Sequence, residues 1–541
     1  MLHAVTLTGM TQRRKRWIAI AAVAGLLVAA LVSLALRIPF SSETLRARVV
    51  ATLGDRLDSE VDLGDLTLHV FPRLHAVGTG LAIHHKGRRD VPPLISAEKF
   101  TIDADLLGLW RRHVAHVRLD GLKIQIPPGE RQDAEAEKAE DAEKAAKRLP
   151  LGSSNAGHLA SGPEVVIDVV EAPESAVIII PRNPEKTPKT WYLHTLFVHS
   201  VSANTTMPFE ALLTNGVPPG QIATEGSFGP WHRDDPGHTP VNGAFTFKNA
   251  DLSVFKGISG ILSAKGTYEG RLETIDVHGE TDTPDFMVKI SGHKVPLHAK
   301  YHAIVDGTNG DTKLEQIDAS FLKTPLVARG GVYDVKGVKG RRVTLDITMD
   351  QARIEDVMKL AVKTPTPPMT GALRLGTKFD LPPGDQDVVD KLRLNGHFAI
   401  GGGRFTDADV QRKINEMSVR ARGNTGDGKP VPKVASDFSG QFALGSGILT
   451  LNRLTFNIPG ALVELQGQYA LQRETLAFIG NLFMDAKVSE ATTGWKSVLL
   501  KVVDPLFRKN GQTVIPLKIS GTRNAPAFGM DVKRVLRRPA N

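Results

Sequence analysis

Apolar and polar residues alternate with a period of two along most of the chain after about residue 163. The alternation is clearest in the segment 463–471. Because successive side chains of a strand point to opposite faces, this pattern predicts strands with one apolar face and one face in water. The apolar face of that strand carries Val463, Leu465, Gly467, Tyr469 and Leu471, and the other face carries Glu464, Gln466, Gln468, Ala470 and Gln472.

A short motif recurs in the same part of the chain: a glycine, then any residue, then an aromatic residue. Its irregular spacing argues against a propeller or an ankyrin array, which need a fixed period. The motif indicates an extended antiparallel meander built from successive hairpins. The copies begin at Gly243, Gly331, Gly396, Gly440 and Gly467, with a partial copy at Gly266-Thr267-Tyr268.

The region 41–128 combines one short helix with several strands. Polar residues that can cap a helix precede an amphipathic segment that ends near Gly54. Alternating apolar residues predict strands within 61–70 and at 100–104. The pair Asp120-Gly121 separates two further alternating segments, so it predicts the turn of a β-hairpin.

Two segments of the C-terminal part have helical spacing instead. The first covers 406–419, with Asp407 in the position of a helix cap. The second lies near 494–503 and begins at Trp495, with apolar residues on one face. The second helix can pack on the sheet, or it can contact a membrane or a partner protein, and the pattern leaves both open.

An uncharged segment of 20 residues, Trp17 to Leu36, predicts a transmembrane helix. Such a helix is about 30 Å long, which matches the hydrocarbon core of a bilayer. The basic block Arg13–Arg16 precedes it, so the positive-inside rule predicts a cytoplasmic N-terminus and an exported remainder. A cleaved signal peptide, with its site near Ser33-Leu34-Ala35, is the alternative.

The formal net charge of +9 is concentrated at the two ends of the chain. Residues 1–16 carry four basic side chains and no acidic one, and residues 530–541 carry four basic side chains and one acidic one. The long body between them is therefore nearly neutral. A nucleic-acid-binding domain needs a basic surface of its own, so no nucleic-acid partner is expected.

A charged segment followed by serine and glycine residues interrupts the strand pattern and predicts a linker at 129–162. The predicted organisation is a cytoplasmic basic tail at 1–16, a transmembrane helix at 17–36, a helix-plus-β region at 41–128, the linker at 129–162, a central β-rich region at 163–390, a C-terminal β region at 391–532 and a basic tail at 533–541.

Motifs for catalysis and cofactor binding are missing from the sequence. It contains no cysteine, which excludes thiol nucleophiles and cysteine-ligated metals. The cluster Gly401-Gly402-Gly403 is not followed by the residues of a phosphate-binding loop, and no nucleophile elbow or His-Glu-x-x-His motif occurs. The sequence therefore predicts no catalytic residues, no cofactor and no metal.

The order of several motifs resembles the AsmA family of Gram-negative envelope proteins. The N-terminal match runs from the anchor to about Pro127, and the C-terminal match covers about 392–532. Together these segments cover more than 40% of the chain, counted from the printed sequence. The matching motifs are Leu53-Gly54-Asp55-Arg56-Leu57, Phe71-Pro72, Gly440-Gln441-Phe442, Leu451-Asn452-Arg453-Leu454, Ile458-Pro459-Gly460-Ala461, Gly494-Trp495-Lys496-Ser497 and Ile519-Ser520-Gly521-Thr522.

This resemblance implies a single-pass inner-membrane protein with a periplasmic body: an elongated, curved antiparallel β-sheet with a few short capping helices. The family is similar to bridge-like lipid transfer proteins, so the resemblance implies a groove for phospholipid acyl chains that serves outer-membrane lipid homeostasis. Two alternatives stay open, a structural or regulatory factor that assists outer-membrane protein assembly through envelope protein partners, and an undetected envelope hydrolase. The candidate lipid-facing residues are Val463, Leu465, Tyr469, Leu471 and Trp495.

Overall fold

The computed structural model describes residues 43–126, 166–487 and 508–530, apart from short internal gaps. The gaps are 45, 48, 52–58, 70–73, 86–91, 94, 106–107, 109, 112, 180–188, 203, 231, 233–235, 308, 336–337, 339, 424–432, 510–511 and 524. Five predictions lie outside the described residues: the basic tail at 1–16, the transmembrane helix Trp17–Leu36, the linker 129–162, the helix near 494–503 with Trp495, and the tail 533–541. No helix in the described part of the chain has both the length and the apolar composition that a bilayer-crossing segment requires.

The chain is mainly β, as the alternation predicts, and its strands belong to one sheet. Among the described residues, the α-helices α1 (Ile354–Ala361), α2 (Val388–Lys391) and α3 (Ala408–Ala421) interrupt the strands, as do two short 3-10 helices at Pro236–His238 and Leu252–Val254, and residues within 43–51 are also helical. The strands are β1 Ser59–Asp62, β2 Leu66–His69, β3 Leu74–His85, β4 Ile95–Ala104, β5 His113–Asp120, β6 Lys123–Ile126, β7 Val166–Glu171, β8 Ser175–Ile179, β9 Lys189–Val201, β10 Met207–Gly216, β11 Pro219–Phe228, β12 Pro240–Asp251, β13 Ile258–Ser259, β14 Ile261–Arg271, β15 Thr274–Val288, β16 Lys294–Val305, β17 Thr312–Phe321, β18 Thr324–Asp334, β19 Arg341–Arg353, β20 Met369–Leu381, β21 Arg393–Phe405, β22 Ser436–Gly445, β23 Ile448–Ile458, β24 Ala461–Ala470, β25 Thr475–Met484, β26 Arg508–Lys509, β27 Gln512–Thr522 and β28 Ala525–Met530.

The predicted hairpin at Asp120-Gly121 is wrong. Strands β5 and β6 both pair with β4 in one unbroken register, so the chain runs straight on past Gly121. Gly121 has a φ of +63°, a conformation that glycine adopts without strain, and here it makes a local irregularity rather than a reversal. Pairing with β4 determines that the chain continues straight here, and this pairing cannot be predicted from the turn residues alone.

The sheet is mixed, and the prediction of a purely antiparallel sheet is wrong at one place. Strands β7 and β8 follow each other along β9, and they pair in parallel with β5 and β6. A parallel neighbour requires the chain to return to the starting end through a long connection. Residues 127–165 separate the two pairs of strands and supply that length.

Elsewhere successive strands pair antiparallel, which agrees with the predicted meander. This holds from β9 to β12 and from β17 to β25. The turns are tight: Ile458 pairs with Ala461 across Pro459-Gly460, and Gly460 has a φ of +87°. A positive φ suits such a turn because only glycine reaches it at no steric cost.

Contacts between Cα atoms divide the chain into two compact units. The first contains the described residues up to Asp251 together with Ser263–Gly279 and Val305–Gly310. The second contains Leu252–Leu262, Glu280–Ile304 and the described residues from Asp311 onward.

The first unit holds a closed hydrophobic core. Its strands β1 to β5 and β7 contribute buried apolar side chains to this core, and Val49 of the helical residues 43–51 packs into it with no exposed surface. The ring of Phe100 lies over Gly78, where a Cβ atom would come within 2.1 Å of it. The core residues are Val49, Val61, Leu63, Leu66, Leu74, Ala76, Leu81, Ile83, Ile95, Ala97, Phe100, Ile102, Ala104, Val114, Val117, Leu119, Ile167 and Ala172.

Helices α1 and α3 pack against the sheet in the second unit. Asp407 caps α3, as predicted, because its carboxylate accepts hydrogen bonds at 2.9 Å from the backbone N–H groups of Asp409 and Val410. Helix α1 was not predicted from the sequence, although Ile354, Val357 and Met358 have the spacing of a helix face.

Truncation of Phe100 should test the closed core. Phe100→Ala should lower the free energy of unfolding by about 3–5 kcal/mol, because the ring is fully buried and Gly78 leaves a cavity beneath it. Urea denaturation of the protein measures this change. Phe100→Leu is the control and should cost less, and equal stabilities of wild type and Phe100→Ala would contradict a closed core.

Candidate functional site

Eight strands of the second unit form one apolar surface, which we call the apolar floor. In β19 to β25 and β27, the strand registers place apolar residues opposite each other on this face. These side chains are only half-buried. The apolar floor consists of Leu345, Leu375, Phe379, Leu394, Phe398, Phe442, Leu444, Leu449, Leu451, Leu454, Val463, Leu465, Tyr469, Leu476, Leu482 and Leu517.

Three of the predicted lipid-facing residues, Val463, Leu465 and Tyr469, lie together on this floor. Leu471 follows the end of β24, and its backbone N–H donates to the carbonyl of Gly447 at 2.9 Å. Trp495 lies outside the described residues. The cross-strand neighbours are Phe456 and Leu482 for Val463, Leu454 and Gly480 for Leu465, and Leu449 and Leu476 for Tyr469.

The opposite face of β24 is polar and lies in water. Gln466 and Gln468 are exposed. Glu464 lies nearer the start of the strand. Its carboxylate is 3.6 Å from the guanidinium of Arg453 on the neighbouring strand. The strand therefore separates an apolar surface from a wet one, as its period-two pattern requires.

Aromatic rings lie over glycines of the neighbouring strand, where no side chain competes for the space. Phe398 of β21 pairs with Gly440 of β22, and Phe442 of β22 pairs with Gly396 of β21. A Cβ atom on Gly440 would lie 2.8 Å from the Phe398 ring, and one on Gly396 would lie 2.9 Å from the Phe442 ring. These two copies of the Gly-x-aromatic motif, on neighbouring antiparallel strands, therefore exchange rings.

The first unit contains the same exchange. A Cβ atom on Gly266 would lie 2.9 Å from the Phe245 ring, and one on Gly243 would lie 2.5 Å from the Tyr268 hydroxyl oxygen. That hydroxyl is 2.8 Å from the hydroxyl of Thr224. Burial raises the pKa of Tyr268, so its hydroxyl stays neutral.

Helix α1 closes one end of the apolar floor. Its apolar side chains pack on the strand ends near Ala352 and Met369. The buried carboxylate of Asp356 accepts hydrogen bonds from the Thr324 hydroxyl at 2.9 Å and from the Lys323 backbone N–H at 3.1 Å. These bonds tie the helix to the turn between β17 and β18.

Helix α3 closes the same end over the later strands. Its residues Ile414 and Met417 pack with the core cluster around Ile458, Ala461 and Met484. The helix is held by buried polar side chains: Asn415 accepts from the Val434 backbone N–H at 3.0 Å, and the Ser418 hydroxyl donates to the Pro459 carbonyl at 2.7 Å. The opposite strand ends, at Leu381, Leu394, Leu444 and Tyr469, carry half-buried apolar side chains.

A charged cleft of about 480 Å³ lies at these opposite strand ends. Proline residues, strand ends and the turn between β22 and β23 form its walls. The lining residues are Lys378, Asp380, Pro382, Pro383, Gln386, Asp390, Lys391, Arg393, Leu394, Asn395, Ala443, Leu444, Gly445 and Ser446. No pattern in the sequence predicts this cleft.

Both carboxylates of the cleft are already hydrogen-bonded. Asp380 accepts two hydrogen bonds from the Arg342 guanidinium, at 2.8 and 3.0 Å. These bonds and the positive charges of Arg342 and Arg393 hold the pKa of Asp380 below its ordinary value. Asp390 accepts from the Gln472 side-chain amide at 2.6 Å.

The floor and the cleft offer different kinds of contact. The floor offers apolar contact without charged side chains, so it can cover hydrocarbon. The cleft offers hydrogen-bond donors and positive charge. Compared with known proteins, the chain matches no family model and no curated protein.

A methyl group added at Gly440 should disturb the ring exchange. Gly440→Ala should lower the free energy of unfolding by about 1–3 kcal/mol, because the new Cβ atom displaces the Phe398 ring. Chemical denaturation measures the change. Gly401→Ala is the matched control, since a Cβ atom at Gly401 meets nothing within 4 Å, and it should stay within about 0.5 kcal/mol of wild type.

Loss of the Arg342 guanidinium should change the pH dependence of stability. The folded pKa of Asp380 is lowered, so its ion pair stabilises the fold above its ordinary value of 3.8 and stops doing so as the pH falls through the folded pKa. Arg342→Gln should therefore be less stable at pH 7, by no more than about 1 kcal/mol for this partly exposed pair, and should approach wild type in acid. Urea midpoints between pH 7 and pH 3 measure this. A difference that stays constant with pH would contradict the ion pair as its cause.

Proposed function

We propose that the chain is an AsmA-like periplasmic protein, anchored in the inner membrane by residues 17–36, that holds phospholipid acyl chains on its apolar floor for outer-membrane lipid homeostasis. The half-buried state of the floor carries this proposal. A large apolar surface that the protein itself does not fully cover is typical of a site for an apolar partner.

The size of the floor suits an acyl chain. The strands of the floor have 10 to 13 residues, so at about 3.3 Å per residue they are about 33–43 Å long. One leaflet is half of a hydrocarbon core of about 30 Å, so an acyl chain reaches about 15 Å. Each buried CH₂ group contributes about 0.8 kcal/mol, so one chain gains several kcal/mol without any specific polar contact.

The two ends of the floor differ, because helices cover only one of them. Helices α1 and α3 are fixed there by Asp356, Asn415 and Ser418, whose polar side chains are buried and hydrogen-bonded. An acyl chain would therefore place its methyl end toward these helices and leave the rest of the lipid toward the other strand ends.

A structural or regulatory role in outer-membrane protein assembly is the second candidate. The closed core of the first unit favours it, because a fully buried core leaves the outer surface free for protein contacts. The half-buried floor of the second unit favours lipid instead.

Photo-crosslinking at neighbouring positions of β24 should test lipid binding. A crosslinking residue at Leu465 should capture phospholipid, because Leu465 lies on the floor, and one at Gln466 should not, because its side chain lies in water. The measurement is mass spectrometry of the crosslinked full-length protein, expressed in a Gram-negative cell. Equal capture at both positions would contradict binding on the floor.

Substitution at the same position should separate lipid binding from structural support. In a packed core, Leu465→Asp would cost several kcal/mol and unfold the unit. On an open floor, water reaches the new carboxylate when lipid is absent, so we expect a folded protein that no longer retains lipid. Gln466→Asp is the control, and it should change neither property. Unfolding by Leu465→Asp together with no capture at Leu465 would favour the structural role.

A further inference from the structure

We propose that an apolar tip in the second unit inserts into the surface of a lipid bilayer. The tip lies where the 3-10 helix Leu252–Val254 and strand β13 meet the turn after β15. Its four large apolar residues each expose between 39% and 49% of their surface to water. They are Val254, Phe255, Ile261 and Ile290. This surface is separate from the residues of the apolar floor, so its role goes beyond the proposed function.

Direct contacts join the two chain segments of the tip. Strand β13 pairs with the end of β15, and the Lys289 backbone N–H donates to the Gly257 carbonyl at 2.8 Å. The Lys289 ammonium donates to the carbonyls of Ser253 and Phe255, both at 3.1 Å. Single exposed apolar residues are normal on a protein surface, but four of them in adjoining turns form a patch, and such patches mark interaction sites.

The hydrogen bonds within the tip favour a bilayer as the partner. A segment that enters a bilayer meets no water there, so its backbone groups need partners inside the protein. A loop that binds another protein has no such need, because its partner can supply donors. Several carbonyl groups of the first turn accept hydrogen bonds from within the tip: Leu252 from the Phe255 N–H, Ser253 and Phe255 from the Lys289 ammonium, and Gly257 from the Lys289 N–H.

Charged side chains beside the tip lie in pairs of opposite sign. The Lys256 ammonium is 3.8 Å from the carboxylate of Asp387. The Asp285 carboxylate accepts a hydrogen bond from the Ile261 N–H at 2.8 Å and is 3.7 Å from the Lys294 ammonium. Because these charges offset each other, apolar contact rather than attraction to anionic headgroups should dominate binding. Insertion should therefore depend little on salt.

A single fluorescent label can test the insertion, because the chain contains no cysteine. Full-length Val254→Cys, labelled with an environment-sensitive fluorophore, is reconstituted into phosphatidylcholine vesicles. The vesicles contain brominated lipids, which quench a fluorophore that touches acyl chains. We expect blue-shifted and quenched fluorescence, equal in low and in high salt.

Substitutions in the labelled chain test which residues carry the insertion. Phe255→Ser/Ile290→Ser should lower the ratio of inserted to free tip at least about tenfold, because two partly exposed apolar side chains no longer leave water. Val338→Ser is the matched control, since it removes a similarly exposed apolar residue outside the tip, and it should keep the original ratio. Thermal unfolding of each variant shows whether the fold is intact.

A second label position serves as the control for quenching. Val410 of α3 is also exposed, and a label at Val410→Cys should stay unquenched. Equal quenching at Val254 and Val410, or none at Val254, would overturn insertion by the tip. A blue-shifted but unquenched label at Val254 would indicate contact with protein, such as a second copy of the chain, and would overturn it too. Loss of quenching in high salt would contradict apolar contact as the cause.

These results are independent of the proposed function. Lipid capture at Leu465 reports on the floor, and quenching at Val254 reports on the tip. An unquenched tip with lipid capture at Leu465 leaves the proposed function standing. A quenched tip without capture at Leu465 supports insertion and contradicts lipid binding on the floor.

Discussion

The second unit depends on cross-strand contacts between aromatic rings and glycines. A single open sheet has no second layer to bury its apolar face, and large side chains at every position would crowd each other between strands about 4.8 Å apart. Rings of Phe398 and Phe442 lie over Gly440 and Gly396, so each ring covers backbone that would otherwise be exposed. The floor stays continuous and shallow, and it can receive a partner that a filled core would exclude.

The first unit buries an apolar sheet face to different extents in two places. Strands β1 to β5 and β7 form a closed core with Val49 of the preceding helical residues, whereas Leu193, Leu213 and Ile222 of β9 to β11 stay half-buried. In the second unit, α1 and α3 cover only one end, and polar anchors such as Asn415 and Ser418 fix α3 there. A buried polar group without a partner is costly, so these hydrogen bonds keep the helices on the strand ends and away from the middle of the floor.

The sequence predicts local features well and long-range pairing poorly. The period-two pattern places Leu465 and Gln466 on opposite faces of β24, and the cap Asp407 marks the start of α3. Both signals lie within a few residues of the feature that they predict. The turn predicted at Asp120-Gly121 is absent, because the chain pairs with β4 on both sides of Gly121 and continues straight. Helix α1 shows the spacing of a helix over only eight residues, a length at which strand and helix are hard to separate.

The charged cleft could not be found by reading along the chain. Lys378 and Arg393 are 15 positions apart, and Leu444 follows after a further 51. Only the registers β20–β21 and β21–β22 bring these residues together. The same registers place Lys378 and Arg393 at the strand ends that the helices leave open, on the face opposite Phe379 and Leu394 of the floor. An amphiphile bound in the reverse orientation would set its phosphate against the buried apolar residues beside α1 and α3, where desolvation of a charge costs several kcal/mol or more. The architecture that we propose for lipid therefore favours one orientation of the ligand, and that preference arises from where the helices lie.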